Sequence, residues 1–358
     1  MSAQRWAEID LGLVAENVRR IQTQIGPGVR LLAVVKAQGY GHGAIRVARA
    51  ALTAGAFGLV VSTPEEADAL GGLLPPERVL VVGGLAPSAA LDAAHGGWSL
   101  ALSSPDLLST LERAVPRGER LALHLKVDTG MGRLGCSPQE AAEVAARVAS
   151  SPHLRLGGIM THFAAADADP AYTQAQIDAF DQVLHQVGER GLDPGLRHAA
   201  NSAAALAYPS ARYDAVRCGL ALYGYGWPEL RPALTLRALV VRVMRLPRGS
   251  SVGYGRTWVA PRDALVATLA IGYEDGVFRS RSNRGEVVLR DRRAPLVGAV
   301  SMDSITVDVT DVPGVVPGDV ATIIGEGIDA DEVGRWSNTI AYEVLTALGE
   351  RVERRYLE

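Results

Sequence analysis

The stretch LLAVVKAQGYGHGA, residues 31–44, joins a short apolar run to a lysine and then to a glycine-rich segment. Five apolar residues followed at once by a charged one are typical of a buried parallel strand that ends at a functional edge. Lysine is rare here, because only Lys36 and Lys126 occur among the 36 Lys and Arg residues. Arginine stays charged at physiological pH, whereas an amine can lose its proton, so both lysines are candidate reactive residues.

Apolar runs like 31–35 recur along the first two-thirds of the chain. The other seven lie at residues 57–61, 79–82, 98–102, 121–127, 156–160, 196–199 and 215–217. Helix-compatible, alanine-rich segments separate them, and two begin with Thr63 or Ser137 followed by proline and acidic or amide residues, a helix-start signature. Eight repeats of strand and helix predict an α/β fold with a TIM (β/α)8 barrel over residues 1–228.

The pattern of the sequence changes at about residue 229, from alternating strands and helices to successive strands. Runs such as LTLRALVVRVMRL (234–246) and ALVATLAIGY (264–273) are rich in strand-forming residues and alternate with Gly, Pro and Asp turns. This pattern predicts a C-terminal all-β domain over residues 229–358, joined to the barrel by the proline-bearing segment 223–234.

Composition excludes several classes of protein. Hydrophobic residues make up 48% and charged residues 21%, with a net charge of −3 and no basic run, which indicates a globular protein that does not bind nucleic acid. No apolar run is long enough to cross a membrane, and the first residues lack the apolar core of a secretory signal, so we expect a cytoplasmic protein. Cys136 and Cys218 have no metal-binding neighbours, which predicts packed thiols and no metal site.

Polar residues follow the predicted strands. In (β/α)8 barrels the chemistry lies at the carboxyl ends of the strands, so residues at these positions should converge. The polar segments and residues that follow the runs are Lys36, Asp128–Arg133, Thr161, His162, Asn201, Ser202, Arg217 and Gly219. Their convergence predicts an active site at this end of the barrel.

Two features of this predicted site indicate a cofactor. Lys36, at the mouth of an apolar strand, would be partly desolvated, which lowers its pKa and frees the amine for imine formation. The following YGHG (40–43) offers flexible backbone and a phenol. Ser202 and the backbone amides of Gly219 and Leu220 lie where barrels commonly bind phosphate. Together they suggest pyridoxal 5′-phosphate (PLP), although a lysine-dependent aldolase acting on a sugar phosphate would share both features.

Eight segments resemble, in order and spacing, the signature segments of bacterial alanine racemases. They are AVVKAQGYGHG (33–43), KVDTGMGRLG (126–135), THFA (161–164), HAANSAA (198–204), VRCGLALYG (216–224), VGYGRTW (252–258), AIGYEDG (270–276) and VGAVSMD (297–303). The resemblance implies a homodimeric PLP enzyme with shared active sites, a barrel and a β domain. It also implies interconversion of L- and D-alanine, which supplies D-alanine for peptidoglycan.

The resemblance assigns roles to individual residues. It implies that Lys36 binds PLP and acts as the base on one face of the substrate, with the partner subunit's Tyr254 on the other face. Arg217 would face the pyridine nitrogen and leave it unprotonated, because a guanidinium does not give up its proton. Arg133 would contact the substrate carboxylate, and Lys126 matches a carbamylated lysine that orients Arg133.

The other implied residues surround the cofactor, the substrate and an access channel. They are Tyr40, Ser202, Gly219 and Leu220 at the phosphate, His162 at the ring or supporting an arginine, Met302 at the substrate carboxylate, Asn201 as a supporting residue, and Tyr273 and Arg279 in the channel. Gly253 and Ala299 stand where the family often has Ser and Arg. Alternatives are a racemase of broader specificity with the same fold, a PLP-dependent decarboxylase, which should place a carboxylate at the pyridine nitrogen, and a non-catalytic PLP carrier, which should lack the β domain and Tyr254.

Overall fold

The computed structural model describes residues 3–115 and 120–358. The strands of the described chain are β1 (Arg5–Asp10), β2 (Arg30–Val34), β3 (Gly58–Val61), β4 (Val79–Val81), β5 (Ser99–Leu102), β6 (Leu121–Lys126), β7 (Leu154–Met160), β8 (Leu196–His198), β9 (Ala215–Cys218), β10 (Leu234–Leu246), β11 (Ser251–Val252), β12 (Trp258–Val259), β13 (Ala264–Leu269), β14 (Glu286–Leu289), β15 (Arg292–Pro295), β16 (Ile305–Asp308), β17 (Val320–Ile324) and β18 (Glu353–Leu357).

The helices of the described chain lie mostly between the first nine strands. They are α1 (Leu11–Ile25), the single turn α2 (Lys36–Tyr40), α3 (Ala44–Thr53), α4 (Pro64–Ala69), α5 (Pro87–His95), α6 (Pro105–Ala114), α7 (Pro138–Ser150), α8 (Pro170–Glu189), α9 (Ser202–Ala207), α10 (Ala330–Ser337) and α11 (Ala341–Thr346). By their internal contacts the residues form two compact units. We call Val14–Gly39 with Ala44–Leu222 the barrel unit, and the segment through Leu13 with Tyr40–Gly43 and Tyr223–Glu358 the β unit.

The barrel unit confirms the predicted (β/α)8 architecture. Strands β2 to β9 form one parallel sheet in the order β8-β7-β6-β5-β4-β3-β2-β9. Backbone bonds from Asp214 N to Arg197 O (3.0 Å) and from Arg217 N to Ala200 O (2.9 Å) join its two ends. Several strands are buried along their whole length, as expected for parallel strands covered on both faces. All the strand carboxyl ends therefore meet at one end of the barrel.

The predicted helix starts are also confirmed. The Thr63 side chain caps α4 by accepting a hydrogen bond from Glu66 N, with proline next in the chain. Ser137 and Glu140 form a reciprocal capping box at the start of α7. These caps satisfy amides that lack partners within the helix, and therefore fix where each helix begins after its strand or loop.

The β unit is built on the long strand β10. Its sheet runs β15-β14-β17-β10-β1-β18, and β13 pairs with both β10 and β16. The first strand of the chain, β1, belongs to this sheet and pairs antiparallel with β10 and parallel with β18. The two helices α10 and α11 precede β18 within the same unit. The predicted domain boundary at residues 228 and 229 stays a prediction.

The YGHG segment also belongs to the β unit. Gly41 has φ = 80°, and a Cβ there would lie 2.2 Å from the carbonyl oxygen of Leu345 in α11. Tyr40 is buried, and its ring stacks on Tyr223 with centroids 5.0 Å apart. The glycine therefore permits a positive φ and a close backbone approach, where the sequence suggested flexibility.

Candidate active site

Lys36 lies at the carboxyl end of β2, where a left-handed turn begins. Ala37 and Gln38 have φ of 51° and 54°, a strained conformation for residues with a side chain. Glu66 secures the turn, because its carboxylate accepts bonds from Ala37 N and Ser62 N, each 2.7 Å long. Burial and the nearby charge of Arg133 lower the pKa of Lys36, and Glu66 opposes them only partly. The amine is thus more easily deprotonated than that of an exposed lysine.

Lys126 ends β6 and is only 5% exposed. Burial, and then the charges of Arg133 and Arg217, lower its pKa to about 8. That value already includes a smaller lowering by Lys36 and the opposing effect of Asp128, which raises the pKa. These interactions bring both lysines and both arginines into one electrostatically coupled group at the carboxyl ends of the strands.

Asp128 shapes the loop that carries Arg133. Its Oδ1 accepts bonds from the backbone amides of Gly130, Met131 and Gly132, and its Oδ2 accepts one from Arg133 N, at 2.8–3.1 Å. Burial opposes ionisation of the carboxyl, but the four N–H donors prevail and lower its pKa. The segment DTGMGR is therefore a loop wrapped around one carboxylate.

Arg217 is buried within the barrel at β9. Its guanidinium donates to the carbonyl oxygens of Thr161 (2.7 Å), His198 (2.9 Å) and Ala199 (2.9 Å). It also donates to Nδ1 of His198 (2.8 Å) and Nδ1 of His162 (3.3 Å). Burial lowers the pKa of Arg217 to about 10, so the group still carries its proton at neutral pH. Within residues 3–115 and 120–358, no carboxylate forms an ion pair with it.

The donors of Arg217 fix the tautomers of a histidine chain. A guanidinium only donates, so Nδ1 of His198 accepts and its Nε2 carries the proton. That Nε2–H donates to Nδ1 of His124, 2.8 Å away. Burial is the first cause that keeps these imidazoles uncharged, and it lowers the pKa of His124 and of His162 to about 3. A directed chain of donors thus runs from Arg217 through His198 to His124.

Ser202 and Asn201 lie together at the start of α9. Ser202 is buried, and its Oγ accepts bonds from the amides of Gly219 (3.0 Å) and Ala221 (3.4 Å). Asn201 caps α9 by accepting from Ala204 N at 3.0 Å. One hydroxyl and the backbone amides that follow β9 thus lie together, and hydroxyl and amide donors are the groups that suit the terminal oxygens of a phosphate.

The remaining predicted site residues belong to the β unit. Tyr254 is 74% exposed and lines a cavity of about 370 Å³ together with Gly253 and Ala299. Met302 and Tyr273 are exposed as well, and the loops that carry them are joined by backbone bonds such as Tyr273 N to Ser301 O at 2.9 Å. Arg279 is exposed at the start of a short 3-10 turn. Tyr40 lies in the same unit, buried against Tyr223.

Sequence reasoning assigned no individual role to three residues that support the site. Glu66 bonds the turn after Lys36, Asp128 organises the loop of Arg133, and His198 accepts from Arg217. Two of them could have been found from the sequence. Glu66 is an acidic residue three places after the Thr63 cap, and Asp128 precedes a glycine-rich segment; both patterns favour hydrogen bonds to backbone amides.

The barrel unit is a closed parallel barrel with a desolvated lysine and a buried arginine at its strand ends, and a β unit follows it in the chain. These features define a barrel enzyme that works with a lysine amine. Two family models match the chain: "Alanine racemase, N-terminal domain" at residues 9–226 and "Alanine racemase, C-terminal domain" at residues 233–356. The chain belongs to the alanine racemase family, which is PLP-dependent.

Individual relatives agree with this assignment. The chain is 41% identical over 367 residues to the alanine racemase of Symbiobacterium thermophilum, covering 98% of this chain and 96% of the relative. It is similar to the crystal structure of the alanine racemase from D-cycloserine-producing Streptomyces lavendulae, with a TM-score of 0.93, 37% identity, and coverage of 100% of this chain and 98% of that one. The structure of the Bacillus anthracis alanine racemase with bound L-Ala-P gives a TM-score of 0.92 at 33% identity, covering 100% of this chain and 96% of that one.

The described residues offer neither a membrane-spanning helix nor a metal-binding cluster. Over residues 3–115 and 120–358, no helix combines the length and apolar character that a membrane crossing needs. The same residues contain no group of three His, Cys, Asp or Glu side chains arranged to hold a metal ion.

Proposed function

We propose that this protein is a PLP-dependent alanine racemase that interconverts L- and D-alanine. The observation that carries the proposal is the position of Arg217. Its buried guanidinium donates to carbonyl oxygens and imidazoles among the described residues. It also belongs to the same electrostatically coupled group as the desolvated Lys36. The decarboxylase alternative expects a carboxylate in place of Arg217, and the described residues offer none there. A racemase of broader specificity remains the second candidate, since it would use the same group.

The residues of the barrel unit fit PLP. The Lys36 amine would hold the cofactor carbonyl, Arg217 would donate to the pyridine nitrogen, and Ser202 with Gly219 and Leu220 would hold the phosphate. His162 would lie beside the ring, positioned by its bond to Arg217. When bound, PLP supplies an electron sink that stabilises a carbanion at the substrate Cα.

Racemisation needs a proton removed on one face of Cα and returned on the other. We assign Lys36 Nζ to one face, because its lowered pKa makes the amine easier to deprotonate than that of an ordinary lysine and so better able to act as a base. Tyr254 Oη serves the opposite face. Arg133 and the backbone amide of Met302 hold the substrate carboxylate, and Lys126, as a carbamate, orients Arg133.

The site is proposed to be complete only in a homodimer. Tyr254 and Met302 are exposed on the β unit, where a partner subunit can bind them. Tyr273 and Arg279, also exposed, would line the access channel. Each barrel unit would therefore receive the partner subunit's Tyr254 and the partner subunit's Met302. The D-alanine formed would supply peptidoglycan synthesis in the cytoplasm.

Chiral analysis of alanine incubated with the purified, PLP-loaded protein tests the reaction. L-alanine and D-alanine should each convert to the racemate, and Lys36→Arg should abolish conversion because a guanidinium neither binds the carbonyl nor gives up a proton. Serine and basic amino acids assayed in parallel separate the broader-specificity alternative, and release of CO₂ would favour the decarboxylase.

Mixing two inactive variants tests the shared site. Lys36→Ala and Tyr254→Phe should each be nearly inactive alone, because each lacks one of the two bases. Random exchange makes about half of the dimers hybrids with one intact site each, so about a quarter of wild-type activity should return. Verified exchange without recovered activity would contradict the shared site.

A further inference from the structure

A second cavity lies at the other end of the barrel unit. It has a volume of about 200 Å³ and is lined by residues at or near the amino ends of the strands. Among them are Arg30, the first residue of β2, Arg78, which precedes β4, and Arg155, the second residue of β7. Lys36 and Lys126 lie at the opposite, carboxyl ends. We call this space the basal cavity. It is smaller than the pockets that hold drug-sized molecules, but it has room for several waters or a small ion.

The lining of the basal cavity has an excess of positive charge. Arg30, Arg78 and Arg155 line it with one acidic side chain, Glu77, and Asp214, outside the lining, also interacts electrostatically with Arg30. Arg78 is engaged, since its guanidinium donates to the Phe57 carbonyl oxygen. Arg30 lies over the Phe57 ring at 4.4 Å, and neither Arg30 nor Arg155 has an ion-pair partner among the described residues. Two guanidinium groups therefore keep donors for a ligand.

An N–H donor of a largely buried histidine completes the lining. His124 is 7% exposed and its Nδ1 accepts from His198, so the proton of this neutral ring sits on Nε2. A Cβ on Gly157, which also lines the cavity, would lie 3.2 Å from that Nε2, so the nitrogen faces the cavity side of the ring. Nε2 has no hydrogen-bond partner in the described part of the chain. An N–H that faces the cavity and has no protein partner is free to donate to an acceptor there.

We propose that the basal cavity binds a small tetrahedral oxyanion, held between the guanidinium groups of Arg30 and Arg155 and the Nε2–H of His124. Every group named is a donor, and guanidinium groups match the paired oxygens of phosphate or sulfate. Burial and the charges of Arg155 and Arg217 hold the pKa of His124 near 3, so the ring donates without being charged. The ligand would sit at the end of the donor chain that begins at Arg217.

Calorimetric titration of the PLP-loaded protein tests the proposal. Inorganic phosphate and sodium sulfate are titrated separately in buffer with excess PLP, which keeps the cofactor's phosphate site filled, and sodium chloride at equal ionic strength is the control. We expect saturable binding of phosphate, sulfate or both, and the comparison identifies the preferred oxyanion. Heats equal to those of chloride would overturn the proposal.

Variants locate the binding site. The double change Arg30→Gln with Arg155→Gln should weaken binding at least tenfold, whereas Arg190→Gln, an exposed arginine outside the cavity, should change it less than twofold. Gly157→Ala keeps every charge but places a methyl group against His124, and it should also weaken binding at least tenfold. The Nε2–H resonance of His124 should move on titration. Wild-type affinity in both cavity variants would place the anion elsewhere and overturn the proposal, while the racemase assignment would be unaffected.

Discussion

The pKa of Lys126 predicts how readily this lysine takes up CO₂. Only a neutral amine adds to CO₂, giving a carbamate anion and releasing a proton. With a pKa of about 8, compared with 10.5 for an ordinary lysine, about half of the amine is neutral at pH 8 instead of about 0.3%. The structure therefore predicts carbamylation about 160 times faster at pH 8 than at an ordinary lysine of the same nucleophilicity.

The environment favours the product as well. Burial and the charges of Arg133, Arg217 and Lys36 all disfavour a cation at Lys126. Conversion of that cation to an anion turns the repulsion from Arg133, Arg217 and Lys36 into attraction, whereas burial still disfavours a charge and Asp128 opposes the anion. The carbamate should then orient Arg133, as proposed for the substrate carboxylate.

The assay is ¹³C NMR of the PLP-loaded protein at a fixed concentration of dissolved ¹³CO₂. The initial rate of labelling should rise about fifteenfold from pH 6.5 to pH 8, because the neutral fraction rises from about 3% to about half. Lys126→Arg should remove the signal, and since Lys36 is then the only lysine side chain left, the assignment is direct. A midpoint near 10.5, or a lysine carbamate signal that survives the substitution, would refute the reasoning; a carbamate on the α-amino terminus is common to both proteins and cancels in the comparison.

Three other substitutions have defined outcomes. Asp128→Asn should lower the free energy of unfolding by about 1–3 kcal/mol, because four backbone amides lose a charged acceptor, and it should raise the KM for alanine through Arg133. The greater stability of the wild type should be present above the ordinary Asp pKa of 3.8 and vanish as pH falls through the lower pKa of the folded state. Gly41→Ala should lower the Tm far more than Gly28→Ala, since both have positive φ but only Gly41 faces a carbonyl oxygen at 2.2 Å; equal losses would contradict the packing argument. Arg217→Glu should slow racemisation and alter the visible absorbance of the bound cofactor, and an unchanged rate and spectrum would remove Arg217 from the site.

The barrel could be predicted from sequence because its strands are apolar on both faces. The run 57–61 and its neighbours stand out against alanine-rich helices, and the caps at Thr63 and Ser137 mark two of those helices. The prediction was least accurate where a strand reaches solvent. Strand β7 begins at Leu154, two residues before the predicted start, because the exposed Arg155 interrupts its apolar run.

Long-range pairing was beyond sequence reasoning. Strand β1 has six residues and pairs with segments more than 200 residues away in the chain, so no local pattern reveals its partners. The same applies to Gly41, whose close neighbour Leu345 lies near the other end of the chain. Both features depend on the packing of distant segments, and a single sequence specifies that packing only through the whole fold.

The candidate site was predictable where residue type determines the chemistry, and not where one residue positions another. Lys36 and Lys126 stand out because an amine can do what a guanidinium cannot. His198 is an ordinary histidine in sequence, yet the donor geometry of Arg217 fixes its tautomer, and through it that of His124. The same arginine lowers the pKa of Lys126 across the site. One buried cation therefore fixes the proton positions of His198 and His124, and it adds to the effects of burial and Arg133 that lower the pKa of Lys126. A lysine in place of Arg217 could not act as a permanent donor in this way, because burial would favour loss of its proton.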